Sequence, residues 1–190
     1  MVERTLTYPP ADRELYRKGF LYSRWKRKYG QSALFLELLE SERTTKQFPV
    51  KRPPLKSQTY GFGELFAGIH YLDLCFKDVI RHHYYCHRGY DSYEKAVKIL
   101  GIRAAKFICR PHPQPPDLFV VNKMNRFFFV EVKLPTDRLN QNQIAFNRGI
   151  ERYLNRTMPQ TRRAPHLPKG SWIELLKLRP EAVNPDSAGS

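Results

Sequence analysis

Three polar side chains interrupt two apolar segments in the second half of the chain: Asp117 in PPDLFVV, and Glu131 and Lys133 in RFFFVEVKL. Successive side chains of a β-strand point to opposite faces, so Glu131 and Lys133 are predicted to project side by side while the intervening apolar residues face the core. Asp117 opens the other strand of a predicted β-hairpin and can therefore approach the same end of the sheet. Two carboxylates and an ammonium group are expected to converge there.

These residue types suit the cleavage of a phosphodiester bond. Two carboxylates and a main-chain carbonyl, that of Val132, form the all-oxygen site that a hard cation such as Mg²⁺ or Mn²⁺ prefers. Such a cation polarises the phosphate and helps to generate hydroxide from water. Lys133 is expected to orient or deprotonate that water, or to stabilise charge on the phosphorane. The alternative reading is a surface ion pair of Glu131 with Lys133 on an edge strand, beside a turn aspartate.

The residues downstream make the pattern more specific. Pro-Asp on one strand and Glu-Val-Lys on the next resemble the PD-(D/E)xK nuclease superfamily. EVKLPTDRLNQNQ is similar to the EVKxPxDRLxxxQ signature of the VRR-NUC (virus-type replication-repair nuclease) domain, which the Fanconi-associated nuclease also contains. Leu134 and Pro115 depart from the family, which usually has glycine at both positions. The matching positions are Pro116, Asp117, Leu118, Glu131, Val132, Lys133, Pro135, Asp137, Arg138, Leu139 and Gln143.

The resemblance implies a divalent-metal endonuclease that acts on branched or flapped DNA. By the same resemblance, Asp117 and Glu131 would bind the metal, Lys133 would serve the attacking water, and Gln143 would support the site from the following helix. The family also has an acidic residue on an earlier helix. Glu64 in GFGELFAGIHYL is the favoured match, with Asp91 and Glu94 in DSYEKAVKILG as alternatives, and each is otherwise a solvated helix charge.

The charge of the chain also points to a polyanion. There are 33 Lys and Arg against 18 Asp and Glu, a formal net charge of +15, which favours nucleic acid as the partner over a ribosomal or membrane-surface role. Basic residues near the predicted site and on the N-terminal helix are expected to contact phosphates without reading base sequence. They are Arg138, Arg162, Arg163, Lys169, Lys26, Arg27 and Lys28.

No apolar run approaches the roughly 20 residues of a membrane span, and residues 1–6 are too polar to begin a signal peptide. Three cysteines do not suggest a disulfide framework. We therefore expect a soluble, intracellular protein of the cytoplasm or nucleoid, or of the nucleus in a eukaryote.

The pattern of elements predicts a helix in ADRELYRKGFLYSRWKRKYG, a second in SALFLELLESER capped by Ser32, and a proline-rich connector after it. GELFAGIHYLDLCFKDVI is predicted to be one buried helix over residues 63–80. From residue 91 the predicted order is α-β-β-β-α-β, with the strands RAAKFICR, DLFVVN, RFFFVEVKL and SWIELLKL, and a helix in NQNQIAFNRGIERYL.

One segment allows a different metal chemistry. RHHYYCHRGY contains His82, His83, Cys86 and His87, which are zinc-ligand types, but their spacing fits no closed four-ligand pattern. We interpret the segment as a helix end that contacts DNA phosphates. Cys109 is expected to be a small buried residue of an apolar strand.

The expected fold is the restriction-endonuclease-like α/β fold of the superfamily, a central mixed four-stranded sheet flanked by helices. We divide the chain into a basic helical extension (1–58), a nuclease domain (59–180) and a disordered tail (181–190). The expected function is structure-specific cleavage of flapped, branched or junction-containing DNA. A Holliday-junction resolvase, which would require a homodimer, a restriction-type nuclease and a non-catalytic DNA-binding subunit are the alternatives.

Overall fold

A mixed β-sheet forms the centre of the protein in the computed structural model, which describes residues 1–34, 61–110 and 112–182. The strand order across the sheet is β1-β5-β4-β3-β2. Strands β1 and β5 pair in parallel, as do β4 and β5, whereas β3 is antiparallel to both β4 and β2. The strands are β1 (Val2–Tyr8), β2 (Asp78–Arg81), β3 (Leu118–Val121), β4 (Phe127–Lys133) and β5 (Ile173–Pro180).

The sheet therefore has five described strands, and the expectation of four is wrong. The additional edge strand, β1, comes from the segment predicted to be a helical extension. It pairs with β5 along its whole length, from Val2 opposite Glu174 to Tyr8 opposite Pro180. Residues 2–8 thus belong to the sheet of the predicted nuclease domain.

Helices cover both faces of the sheet. On one face, α1 and α2 pack with α3 over Val130 and Val132 of β4. On the other face, α4 to α7 pack over Phe127 and Phe129. The helices are α1 (Pro10–Arg17), α2 (Phe20–Tyr29), α3 (Phe62–Asp73), α4 (His82–Tyr85), α5 (Asp91–Leu100), α6 (Ile102–Ile108) and α7 (Gln141–Thr157).

The hairpin β3–β4 is confirmed, with Leu118 opposite Val130. Its turn forms because the Asn122 side chain accepts hydrogen bonds from the N–H groups of Met124 and Arg126, both at 2.9 Å. Asn125 takes the left-handed conformation that closes the turn (φ 55°). The predicted helix at residues 140–154 and the final strand are also confirmed, as α7 and β5.

Three predicted elements differ from the structure. The helix expected over residues 63–80 ends at Asp73, and Cys75, with φ 62°, turns the chain so that residues 78–81 form β2. RAAKFICR is helical, with Ala104 and Ile108 buried one turn apart in α6. The order from residue 91 is therefore α-α-β-β-α-β. The predicted single N-terminal helix is two helices, separated at Gly19 (φ 81°).

The cysteines also differ from expectation. Cys86, after α4, and Cys109, after α6, form a disulfide with Cα atoms 4.8 Å apart, while Cys75 is free and exposed. Cys109 is not in a strand. The helix predicted in SALFLELLESER and the proline-rich connector lie almost wholly outside the described residues, as does most of the tail at 181–190. Within the described part of the chain, no helix is both long enough and apolar enough to cross a membrane.

Candidate metal centre and catalytic site

Asp117 immediately precedes β3, and its carboxylate turns back toward β4. Its Oδ2 accepts a hydrogen bond from the N–H of Val132 at 2.7 Å. The preceding carbonyl, that of Pro116, accepts a hydrogen bond from the buried Tyr85 hydroxyl at 2.6 Å. Continuing the β3–β4 register by one position places Asp117 opposite Glu131. The hairpin and Tyr85 together hold the Asp117 carboxylate at the end of the sheet where Glu131 lies.

Glu131 and Lys133 lie on the same face of β4, as the alternation predicts. Val130 and Val132 belong to the core on the other face. Lys133 Nζ is 2.7 Å from Glu131 Oε1, and Glu131 is only 2% exposed. The Asn147 amide, from α7, also favours the ionised form of Glu131 and so lowers the pKa of that carboxyl. Glu131 is thus a nearly buried carboxylate with an ammonium as its partner and an amide nearby.

Glu64 reaches the same end of the sheet from the first turn of α3. One carboxylate oxygen each from Glu64 and Asp117, and one ring nitrogen of His82, lie within 4.8 Å of one another. Glu64 Oε2 is also 2.5 Å from Nε of Arg81. The structure therefore brings the favoured helix-borne acid to Asp117.

The two alternative acids are placed elsewhere. Asp91 and Glu94 are both exposed on α5. Among the described residues, the group of side chains that could hold a metal contains neither of them.

The electrostatics of the site show a shortage of positive charge. Burial raises the pKa of Asp117 well above its usual value, and the carboxylates of Glu131 and Glu64 raise it further. Burial also raises the pKa of Glu131, although Lys133 and Asn147 oppose the shift. Each carboxylate makes it harder for the other to ionise. A bound cation would remove that penalty, because it attracts both charges at once.

Burial alone would lower the pKa of Lys133. The charge of Glu131 and the hydrogen bond to it outweigh burial, with Asp117 adding to the effect, so the net pKa is raised. In the metal-free protein Lys133 therefore holds its proton firmly.

The donor set fits a divalent cation. Asp117 and Glu64 offer carboxylate oxygens within 4.8 Å of each other and of a His82 ring nitrogen. Among the described residues Glu131 is outside that group; it lies beside Asp117 and pairs with Lys133. N–H and C=O of one strand residue point to the same edge, so the Val132 carbonyl, like its N–H, is directed toward the side where Asp117 lies. These are the residues that would hold the ion.

Gln143 has a structural role that its sequence position did not reveal. Its Oε1 accepts a hydrogen bond from the N–H of Asn140 at 3.2 Å, while its own N–H donates to Asn140 Oδ1 at 2.8 Å. This capping box starts α7. Asn147, one turn further on the same helix face, is the residue of α7 that lowers the pKa of Glu131. Sequence reasoning missed it, although Gln143, Asn147 and Glu151 form a polar row at helical spacing.

The predicted DNA-contact residues fall into different environments. Arg138 lines a cleft together with Lys133, Lys177 and Arg179. Lys169 is exposed in the loop before β5.

The guanidinium groups of Arg162 and Arg163 donate hydrogen bonds to main-chain carbonyls of the protein. Arg162 donates to the Ile99 carbonyl at 3.0 Å, and Arg163 donates to the carbonyls of Leu167 and Pro168. These hydrogen bonds fix the loop between α7 and β5, which contains both arginines.

The basic residues of α2 lie away from the carboxylates. Lys28 pairs with Asp73 at 2.9 Å, at the opposite end of α3 from Glu64. The nine residues between Glu64 and Asp73 correspond to about 13 Å of helix. Lys26 and Arg27 stand beside Lys28 on the same helix.

Residues 78–153, from β2 into α7, match the sequence model of the VRR-NUC domain family. This segment is a VRR-NUC domain. The match places this segment in the PD-(D/E)xK nuclease superfamily and indicates a nuclease domain. The VRR-NUC match contains Asp117, Glu131 and Lys133 and begins after Glu64, so Glu64 lies outside the matched segment. No curated protein and no solved structure matches the chain.

His82 is the other residue that sequence reasoning did not assign to the site. It was grouped with His83 and His87 as a DNA-contacting helix end. The signal available was its place two residues after the apolar pair Val79 and Ile80, but only the pairing of β2 with β3 brings it beside Asp117. Its main-chain N–H donates to the Asp117 carbonyl at 2.8 Å.

Proposed function

We propose that this VRR-NUC protein is a divalent-metal-dependent endonuclease that hydrolyses phosphodiester bonds in DNA. The observation that carries the proposal is the convergence of Glu64, Asp117 and Glu131 with Lys133 at one end of the sheet. Carboxylates with raised pKa values beside an ammonium are a typical catalytic arrangement. A divalent cation bound there supplies Lewis-acid polarisation of the phosphodiester and activation of water.

The side chains have distinct proposed roles. Asp117 and Glu131, with the Val132 carbonyl and Glu64, bind the cation. Lys133 contributes a positive charge at the place where negative charge develops on the phosphoryl oxygens. Its firmly held proton favours this role over proton abstraction in the resting protein.

Two clefts support a path for a nucleic-acid strand past this site. The first runs from Lys133 along Arg138 and Lys177. The second lies on the other side, lined by His82, His112 and Gln114 and continued by Asn140 and Asn142. The net charge of +15 supplies attraction for phosphates of any sequence. We propose flapped or branched DNA as the preferred substrate, on the strength of the VRR-NUC resemblance.

Cleavage assays test the proposal directly. Labelled duplex, flap, splayed-arm and four-way-junction DNA are incubated with Mg²⁺, Mn²⁺ or EDTA. Cleavage is expected on the flap or splayed arm, and EDTA is expected to abolish it. Asp117→Asn and Lys133→Met should each reduce the rate by at least about 100-fold, the scale of losing one preorganised charge partner. The matched control is Asp78→Asn, which lies opposite Val121 at the far end of β3.

The outcomes separate the remaining interpretations. Cleavage that survives EDTA or Asp117→Asn would contradict the proposed site. Tight binding of every substrate without any cleavage would support a non-catalytic DNA-binding subunit instead. Symmetric cutting of the four-way junction by a dimer would support a resolvase, and cutting of unbranched duplex at defined sequences would support a restriction-type nuclease.

A further inference from the structure

His82 stands among the metal-binding carboxylates without a role in the proposed reaction. It is the first residue of α4, directly after β2. One of its ring nitrogens lies within 4.8 Å of carboxylate oxygens from both Glu64 and Asp117. Imidazole is among the commonest metal ligands in proteins. His82 is therefore a candidate metal ligand.

The two ring nitrogens differ in their surroundings. Nε2 is 3.0 Å from the side-chain amide nitrogen, Nε2, of Gln114. Nδ1 is shielded from solvent and has no hydrogen-bond partner among residues 1–34, 61–110 and 112–182. A shielded nitrogen without a partner is unfavourable, and native proteins rarely leave one. The missing partner is explained if Nδ1 faces a ligand.

We propose that His82 Nδ1 is a nitrogen ligand of the cation held by Asp117 and Glu64, and that it makes the site prefer Mn²⁺ to Mg²⁺. The inference rests on the proposed function, because it takes the cation at these carboxylates as given. It adds a ligand and a metal preference to that function.

The preference follows from ligand chemistry. Mg²⁺ is a small, hard ion that binds oxygen ligands and retains several waters. A nitrogen ligand favours first-row transition ions over Mg²⁺, and carboxylates remain suitable ligands for Mn²⁺. Arg81 Nε contacts Oε2 of Glu64, and the ion would be held by the other oxygen of that carboxylate.

Gln114 is the residue that positions His82 for this role. If Nδ1 binds a metal, the ring proton must be on Nε2, and Nε2 then donates to the Gln114 side-chain oxygen. The contact of 3.0 Å suits such a bond once the amide oxygen faces the ring. Metal-bound histidines commonly donate their other N–H to such an acceptor, which fixes the ring orientation.

The test measures Mn²⁺ bound to the full chain by pulsed electron paramagnetic resonance, without DNA. The wild-type protein should show ¹⁴N coupling from a directly bound imidazole. His82→Asn keeps an oxygen donor near the position of Nδ1, so it should bind Mn²⁺ without that coupling. The ratio of Mg²⁺ to Mn²⁺ dissociation constants should fall by at least about 10-fold, the scale on which even outer-shell changes weaken metal sites. His83→Asn, the same change at the exposed neighbour, should leave both unchanged.

Two different outcomes would contradict the proposal. Mn²⁺ binding that requires Asp117 but shows no ¹⁴N coupling would overturn the role of His82 and leave the proposed nuclease intact. Absence of Mn²⁺ and Mg²⁺ binding in the wild type, with Asp117→Asn unchanged from it, would overturn both. Gln114→Leu provides a second check, because it leaves the His82 ring in place. It should weaken Mn²⁺ binding while circular dichroism shows a folded protein.

Discussion

At the scale of single residues, three carboxylates compete for one ammonium. Lys133 neutralises Glu131 at 2.7 Å, while Asp117 is left with the N–H of Val132 as its hydrogen-bond donor. The second cation near the cluster, Arg81, is engaged by Glu64. In the metal-free site the negative charge of Asp117 is consequently not compensated. Substitutions of Asp117 and of Lys133 should therefore change the stability of the protein in opposite directions.

Asp117→Asn should stabilise the metal-free protein. Asparagine can still accept the Val132 N–H, and it removes the charge that Glu131 and Glu64 repel. In EDTA at about pH 8 we expect a melting temperature higher by about 2–4 °C, which corresponds to about 1 kcal/mol in a chain of this size.

The pH dependence checks the cause. Folding raises the pKa of Asp117, so the stability linked to this group is fully present below its unfolded pKa, near 3.8, and is lost as pH rises through the folded pKa. The advantage of Asp117→Asn should therefore vanish near about pH 4 and grow toward about pH 8. Thermal unfolding at several pH values measures it. An advantage that is constant with pH would contradict the charge-repulsion explanation.

Lys133→Met should have the opposite effect. It leaves Glu131, with its side chain 3% exposed, without its cationic partner. Breaking such a buried pair by removing one partner costs about 3 kcal/mol or more in unfolding free energy. Urea denaturation in EDTA is the measurement, with Lys95→Met as the control, because Lys95 is half-exposed in its pair with Asp78. An unchanged midpoint for Lys133→Met would mean that Glu131 is neutral in the folded protein.

At the scale of elements, the parts of the fold that sequence predicts well are those with a strong local pattern. The hairpin β3–β4 has two apolar strands and an Asn-rich turn, and α7 has apolar residues at helical spacing over 17 residues. The same local pattern placed Glu131 and Lys133 on one face. Asp117 could be placed beside them because a hairpin fixes its own register.

The elements that the sequence predicts incorrectly are short and apolar, and their conformation depends on contacts with residues distant in the sequence. Residues 78–81 continue the apolar run of α3 in sequence, but they are a strand because β3 pairs with them. Residues 102–108 carry too few turns for periodicity to distinguish a helix from a strand. His82 could not be assigned to the site for the same reason, since its neighbour Asp117 is brought there by the β2–β3 pairing.

The capping box of α7 separates two roles for Gln143. Asn140→Ala removes the side-chain acceptor for the Gln143 N–H and should lower the unfolding free energy by about 1 kcal/mol. Gln143→Glu keeps the acceptor for the Asn140 N–H and should leave stability unchanged. Chemical denaturation of both variants tests this. If Gln143→Glu is stable but cleaves DNA slowly, the amide N–H₂ group of Gln143 has a role in the reaction beyond capping.

At the scale of the whole molecule, the sheet joins regions that the sequence separates. β1 extends the sheet from the N-terminal end, and Tyr8, at its end, packs against Phe62 with ring centroids 5.2 Å apart. Phe62 begins the helix that carries Glu64. The VRR-NUC segment alone, 78–153, contains neither β1, α3 nor β5. The candidate site therefore takes Glu64 from before the matched segment, while β1 and β5 complete the sheet that supports it.

The distribution of positive charge leads to a prediction about DNA binding. Arg138 and Arg179 line the cleft beside Lys133, whereas Lys28 is paired with Asp73 at the far end of α3. If DNA follows the clefts, Arg138→Ala and Arg179→Ala should each reduce the slope of log affinity against log salt concentration by about 1. Lys28→Ala removes the same formal charge and should change the slope much less, because its charge is already partly neutralised. This result would separate Lys28, which the sequence also predicts to contact phosphates, from Arg138 and Arg179.

The measurement is fluorescence anisotropy with a labelled flap DNA, in Ca²⁺ or EDTA to prevent cleavage, between about 50 and 200 mM salt. Equal slope changes for Arg138→Ala and Lys28→Ala would mean that attraction is spread over the surface rather than concentrated at the clefts. A larger change for Lys28→Ala would move the DNA path to the face of α2. Each of the three substitutions removes one positive charge, so the net charge of the variants is the same. A difference in slope between them therefore reports the position of the lost charge.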